Sequence, residues 1–120
     1  MTTWLFEPTV DGRDATDALE ITLRFEGEVT VCVLDGPVRA DTAPVLDGWL
    51  EQLWTNDRHR VIVDASAVDS LSTAGVEVIT AHAARLRAAG GHLQVRSPSA
   101  SARRVLDLSQ AGHLVEDTGR

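Results

Sequence analysis

Three short apolar runs separated by stretches of helical period constrain this chain more than any other feature. Residues 29–34 are apolar on both faces apart from Thr30, and Val61, Ile62 and Val63 form a β-branched run. Both patterns suit strands covered on two sides, near the centre of a sheet. Leu93 and Val95, alternating with His92, Gln94 and Arg96, mark a further strand with one buried face. Between these runs Val45, Leu46, Trp49, Leu50, Leu53 and Trp54 recur at helical spacing, as do Val76, Ile79, Ala83 and Leu86. Ala102, Val105 and Leu106 mark a third helix. Strands alternating with helices predict an α/β layer structure: a mixed central sheet of about four to five strands with helices packed against it. The 29–34 and 61–63 strands are expected to be neighbours inside it.

The punctuation agrees with this order. Ile21, Leu23 and Phe25 alternate with polar residues in a first strand, and Glu26, Gly27 and Glu28 connect it tightly to the second. Asp35, Gly36 and Pro37 end that strand. Asp41 and Thr42 offer oxygens that can cap the first helix, and Pro44 is tolerated in its first turn. Gly90 and Gly91 stop the second helix, Ser97, Pro98 and Ser99 precede the third, and Gly112 closes it. Leu114 and Val115 lead into a last short element. Ahead of all this, residues 1–18 read as an arm or an extra strand, and residues 19–120 as the domain proper. Trp4, Leu5 and Phe6 are too apolar to stand free in water, so they are expected to pack on the sheet edge or in a homodimer contact.

Composition removes several functions. A chain of 120 residues supports one core. The net charge of -7, from 11 basic and 18 acidic residues, opposes a phosphate backbone, so nucleic acid is not an expected partner. No run approaches the roughly 18 apolar residues of a spanning helix, and the start lacks a signal-peptide pattern, so no membrane insertion and a cytoplasmic location are expected. Cys32 is the single cysteine and sits in a strand, where a buried thiol is the ordinary case. The four histidines show no metal-binding spacing. No GxSxG, Walker-type or GxGxxG motif occurs. Asp64 and Asp69 read as turn and cap residues, and Trp49 and Trp54 as packing residues. The expectation is a protein with no catalytic residues, no metal and no cofactor.

Ser72 and Thr73 remain, after apolar Leu71 and at the mouth of the second helix. Either hydroxyl can cap the helix. A hydroxyl there is also a favourable place for a phosphate, because free N–H groups and the helix dipole stabilise added negative charge.

Three segments carry a family resemblance across residues 19–116. They are 35–46, with Asp41, Thr42, Ala43 and Pro44 opening a helix; 61–76, VIVDASAVDSLSTAGV; and 87–108, through Ala89, Gly90, Gly91, Pro98 and Arg103 to Leu106. Together they resemble the STAS domains, in particular bacterial anti-sigma-factor antagonists. Family loops usually read Asp, then a phosphorylated Ser, then Ser, Thr or Ala, then Gly, and threonine at the acceptor place is compatible with the family. Anchoring on Gly75 places Thr73 at the acceptor and Ser72 where the family usually carries Asp. Val68 and Leu71 then match the apolar positions before the loop. Thr73 therefore ranks ahead of Ser72 and Ser70 as acceptor.

The resemblance implies the STAS fold and a phosphorylation-controlled partner switch. Its docking surface would be Ser72, Thr73, Ala74, Gly75 and Val76. The implied partners are an anti-sigma factor with serine/threonine kinase activity and a metal-dependent phosphatase. The alternative it implies is a STAS subunit of a constitutive assembly, either a stressosome-like complex or an ABC-type lipid-transport ATPase.

Overall fold

A computed structural model describes residues 19–116; the arm over 1–18, with Trp4, Leu5 and Phe6, lies outside the described residues. Strands and helices alternate as β1 (Glu20–Glu26), β2 (Val29–Asp35), α1 (Ala43–Thr55), β3 (Arg60–Ala67), α2 (Thr73–Ala88), β4 (His92–Arg96) and α3 (Ala100–Leu108). A 3-10 turn over Gly112–Leu114 follows. The sheet order is β1-β2-β3-β4, with β1 antiparallel to β2 and the other neighbours parallel. This is the expected mixed α/β arrangement, with β2 and β3 inside it.

The register determines which side of the sheet is covered. Leu23 lies opposite Cys32, Cys32 opposite Val63, and Val63 opposite Val95, so one row of alternate residues shares a face. That face forms one core with Leu46, Leu50 and Leu53 of α1, Val76, Ile79 and Leu86 of α2, and Ala102 and Leu106 of α3. All three helices lie on this side. Two right-handed parallel crossovers that advance in the same direction along a sheet have no other solution. The opposite face carries the row Arg24, Val31, Ile62 and Gln94.

Three details differ from the sequence expectations. Thr42 occupies the N-cap position of α1 but makes no capping bond. Its hydroxyl instead donates to the Pro37 carbonyl at 2.9 Å and accepts from the Arg39 N–H at 2.8 Å, so it braces the loop. The third strand runs on through Ala67, because Asp64 stays in register with Val33 and Arg96. Asp64 is thus a strand residue, and its carboxylate accepts from both the N–H and the hydroxyl of Ser66. Finally, α3 ends at Leu108 and the reversal falls at Gln110, whose φ of 62° is left-handed. Gly112 opens the 3-10 turn instead of closing the helix. Gly90 does end α2, with φ of 88°.

Candidate partner-binding face

Each parallel strand feeds a helix, so the N-termini of α1, α2 and α3 gather at one end of the sheet, beyond the carboxyl ends of β2, β3 and β4. The middle connection, from Val68 to Ser72, is held from both sides. Toward α1, Leu71 forms a parallel bridge with Val38, flanked by Val38 N–H to Ser70 carbonyl at 2.9 Å and Ser72 N–H to Val38 carbonyl at 2.8 Å. Toward α3, the Ser99 hydroxyl donates to the Val68 carbonyl, and Ser101 to that of Asp69 at 3.0 Å. Val68 and Leu71 are buried and anchor the loop in the core. Their apolar character in the sequence has this physical role.

Ser72 then caps α2. Its backbone is extended and its Oγ accepts from the Gly75 N–H at 3.3 Å, which satisfies one of the free donors of the first turn. Thr73 is the first helical residue. It is exposed, and its hydroxyl has no hydrogen-bond partner among the described residues. Ala74 is half-buried, whereas Gly75 and Val76 are buried. Of the five residues expected to form a docking surface, Thr73 is therefore the most accessible, with Ser72 and Ala74 beside it. Gly75 and Val76 instead face inward, Val76 as part of the core, so they offer little to an outside partner. A Cβ on Gly75 would sit 2.6 Å from Val38 Cγ1 and 2.8 Å from Leu71 Cδ1, so glycine lets the helix approach the loop. Ser70 is also exposed, on the loop before the cap, and lacks the helix terminus that favours an added phosphate at Thr73.

The charges around this end are mainly acidic. Asp35, Asp41, Asp69 and Glu77 are all exposed. The Arg39 guanidinium meets Asp41 through Nε at 3.0 Å and Nη2 at 3.2 Å, and holds that carboxyl below its ordinary range. Arg39 stands next to the bridged Val38, and so beside Ser72.

A second polar cluster escaped the sequence reading. His82 is buried between α1 and α2, with Nε2 at 2.7 Å from Asp47 Oδ1 and 3.9 Å from Glu51 Oε2. Arg85 binds Glu51 in turn and lies 4.3 Å over the Trp54 ring. Position 82 borders the stripe of Ile79, Ala83 and Leu86, which hints at burial but not at the acidic partner that α1 supplies. Donor atoms of Asp47, Glu51 and His82 lie within 4.8 Å of one another, a spacing a divalent ion could use. Each already has a protein partner, however, and the cluster acts as a polar clasp between two helices. Cys32 is fully buried, and burial pushes its thiol up to about 12. Among the described residues no helix is long and apolar enough to cross a membrane.

A mixed sheet covered on one side by three helices, with a capped and exposed hydroxyl loop at its end, defines a one-sided α/β sheet domain. Residues 21–116 match the family described as Mlab, STAS domain, and the chain belongs to that family. Solved structures with this fold include the anti-sigma factor antagonist SpoIIAA in its unphosphorylated form, at TM-score 0.74 and 16% identity over 84% of this chain and 90% of that one. An anti-sigma factor antagonist from Mycobacterium paratuberculosis matches at TM-score 0.74 and 21% identity, covering 82% and 84%. The phosphorylated form of SpoIIAA, from Bacillus, matches at TM-score 0.66 and 17% identity, covering 84% and 93%. A search of curated proteins finds no match to the chain.

Proposed function

We propose that this protein is an anti-sigma-factor antagonist whose binding is switched by phosphorylation of Thr73. Unmodified, it binds an anti-sigma factor that is also a serine/threonine kinase and so frees the sigma factor. Phosphorylation by that kinase ends the binding, and a metal-dependent phosphatase restores it. The protein itself is a binding module and not a catalyst. The observation that carries this reading is the exposed Thr73 hydroxyl at the first position of α2, beside a cap supplied by a different residue, Ser72. Because the cap does not depend on Thr73, modifying it leaves the helix terminus intact. An added phosphate brings roughly 1.5 to 2 negative charges, which N–H groups and the helix dipole accommodate in the free protein. At a docking surface the same charges must be desolvated, so the complex is weakened while the fold survives. The neighbour SpoIIAA is known in both unphosphorylated and phosphorylated forms. The test is phosphate mapping by mass spectrometry after incubation with the captured kinase and ATP; an unmodified Thr73 in a protein that still binds would sink the switch.

A second reading is favoured by the bracing of the loop. Its bonds to Val38, Ser99 and Ser101 hold the face in one shape, as suits permanent docking in a stressosome-like complex or an ABC-type lipid-transport ATPase. Gel filtration of native extract separates the two, because a stable large complex supports constitutive assembly and exchange between small partners supports the switch.

A further inference from the structure

A cavity of about 240 Å³ opens beside the β4 edge of the sheet, between α2, β4 and the 3-10 turn. Thr80, Ala84 and Arg87 are spaced i, i+4 and i+7 on α2 and share one helix face, which makes one wall. Ala84 is small and leaves room, while Leu93 and Leu114 add apolar surface. The space is below the roughly 300–1,000 Å³ that holds drug-sized ligands, so it suits a smaller molecule.

The polar groups at this cavity are donors without partners. Among the described residues, Arg87 and Arg104 are the only arginines with neither a hydrogen bond nor an ion pair. His113, on the turn, is exposed and its ring makes no hydrogen bond there either. The third donor is main chain. The His92 N–H donates to the His59 carbonyl at 2.9 Å, toward β3, whereas the Val95 carbonyl accepts the Glu116 N–H at 2.6 Å on the opposite edge. Backbone groups alternate in direction along a strand, so the Leu93 N–H points outward with the Val95 carbonyl, at the free edge that borders the cavity. No carboxylate lines the cavity among the described residues, although the chain carries a net charge of -7.

We propose that this cavity binds a small organic anion, a carboxylate on a short apolar body. Arg87 takes the carboxylate through its planar guanidinium, a charge-assisted pair stronger than a neutral hydrogen bond. The Leu93 N–H and the His113 ring offer further donors, and the apolar body rests on Ala84, Leu93 and Leu114. This inference rests on the edge of the sheet and is independent of the Thr73 switch.

The test titrates hexanoate into full-length, isotope-labelled protein and follows the amide shifts by NMR. The shifts should saturate and centre on Ala84, Arg87, Leu93 and Leu114. Hexanamide, which lacks the charge, and inorganic phosphate, which lacks the apolar body, should each bind about tenfold more weakly or worse, as loss of one charged or apolar contact implies. Arg87→Gln, at an exposed position, should weaken hexanoate by a similar factor and leave hexanamide unchanged. Ala84→Leu, also exposed, fills the cavity and should weaken both. The absence of a saturable shift, or shifts centred elsewhere on the protein, would overturn the proposal. So would equal affinity for hexanoate and either control, or equal affinity of wild type and Arg87→Gln for hexanoate.

Discussion

The backbone N–H of Ser72 donates to the carbonyl of Val38 across 2.8 Å, and this bond ties the cap of α2 to the loop that opens α1. The position of Thr73 is consequently set by residues more than thirty places earlier in the chain. Moving Val38 moves the cap, and moving the cap moves the candidate acceptor. The first two predictions follow from that linkage.

Gly75→Ala should destabilise the domain and misplace the loop. The new methyl would meet Val38 Cγ1 at 2.6 Å and Leu71 Cδ1 at 2.8 Å, both inside ordinary contact. Alanine gains up to about 1 kcal/mol of helix propensity, but overpacking a tight site costs about 1–3 kcal/mol. A net loss of about 1 kcal/mol is expected from urea unfolding, largely relieved when Val38→Ala is added. Equal stability of Gly75→Ala and wild type would show that the helix and loop do not need this close approach.

Ser72→Ala removes the side-chain cap and should cost about 1 kcal/mol, within the usual range of about 0.5–2. Ser72→Asp keeps an acceptor for the Gly75 N–H and adds a charge suited to a helix N-terminus, so it should match or exceed wild type. Denaturant midpoints of the three proteins check the order. If alanine equals serine, the Gly75 donor is satisfied by water and Ser72 is not a stabilising cap.

The legible parts of the sequence were those governed by local periodicity. Alternation at Ile21, Leu23 and Phe25 and the stripe through Val76, Ile79 and Leu86 each gave a correctly placed element, because burial of one face leaves a local period. The place of Thr73 at the start of α2 was legible because Leu71, Ser72 and Gly75 bracket it with an anchor, a cap and a small residue. What escaped depends on partners distant in sequence. His82 looks like an ordinary helix residue until α1 brings Asp47 against it. Thr42 reads as a cap, yet Pro37 and Arg39 compete for its hydroxyl and win. The β3 extension through Ala67 depends on pairing with β2, where Asp35 meets Ala67 after a register shift.

Cys32 should be inert in the folded protein and should make stability fall in alkali. Its thiol is pushed from 9.0 up to about 12 because burial disfavours the thiolate. A raised value means the fold favours the protonated form. The contribution is complete below pH 9.0 and is lost as pH rises from there toward about 12. A thiol reagent at pH 8 should label the protein only as fast as it unfolds, and urea should accelerate the labelling. Between pH 9 and 11 the denaturation midpoint should fall more steeply in wild type than in Cys32→Ala. Rapid labelling of native protein would show that the thiol is reachable from solvent.

Substitutions at Thr73 should change binding without changing the fold. The side chain is exposed and makes no hydrogen bond among the described residues, while the cap belongs to Ser72 and the anchor to Leu71, Val76 and Ile79. Thr73→Ala should therefore unfold within about 0.5 kcal/mol of wild type, as surface changes usually do. It should bind the partner normally and stay bound when ATP is added. Thr73→Glu places a carboxylate where the helix terminus tolerates it, so it should also fold, but docking must desolvate the new charge. One carboxylate carries less charge than a phosphate, so the weakening should be smaller than that of true modification. A loss of about 1.4 kcal/mol is already tenfold in affinity, enough to reverse a competition between two proteins of similar strength. Isothermal titration of wild type, Thr73→Ala and Thr73→Glu against the captured partner, with and without ATP, reads all of this. Equal affinities throughout, with no phosphate on Thr73, would leave the constitutive assembly as the surviving reading.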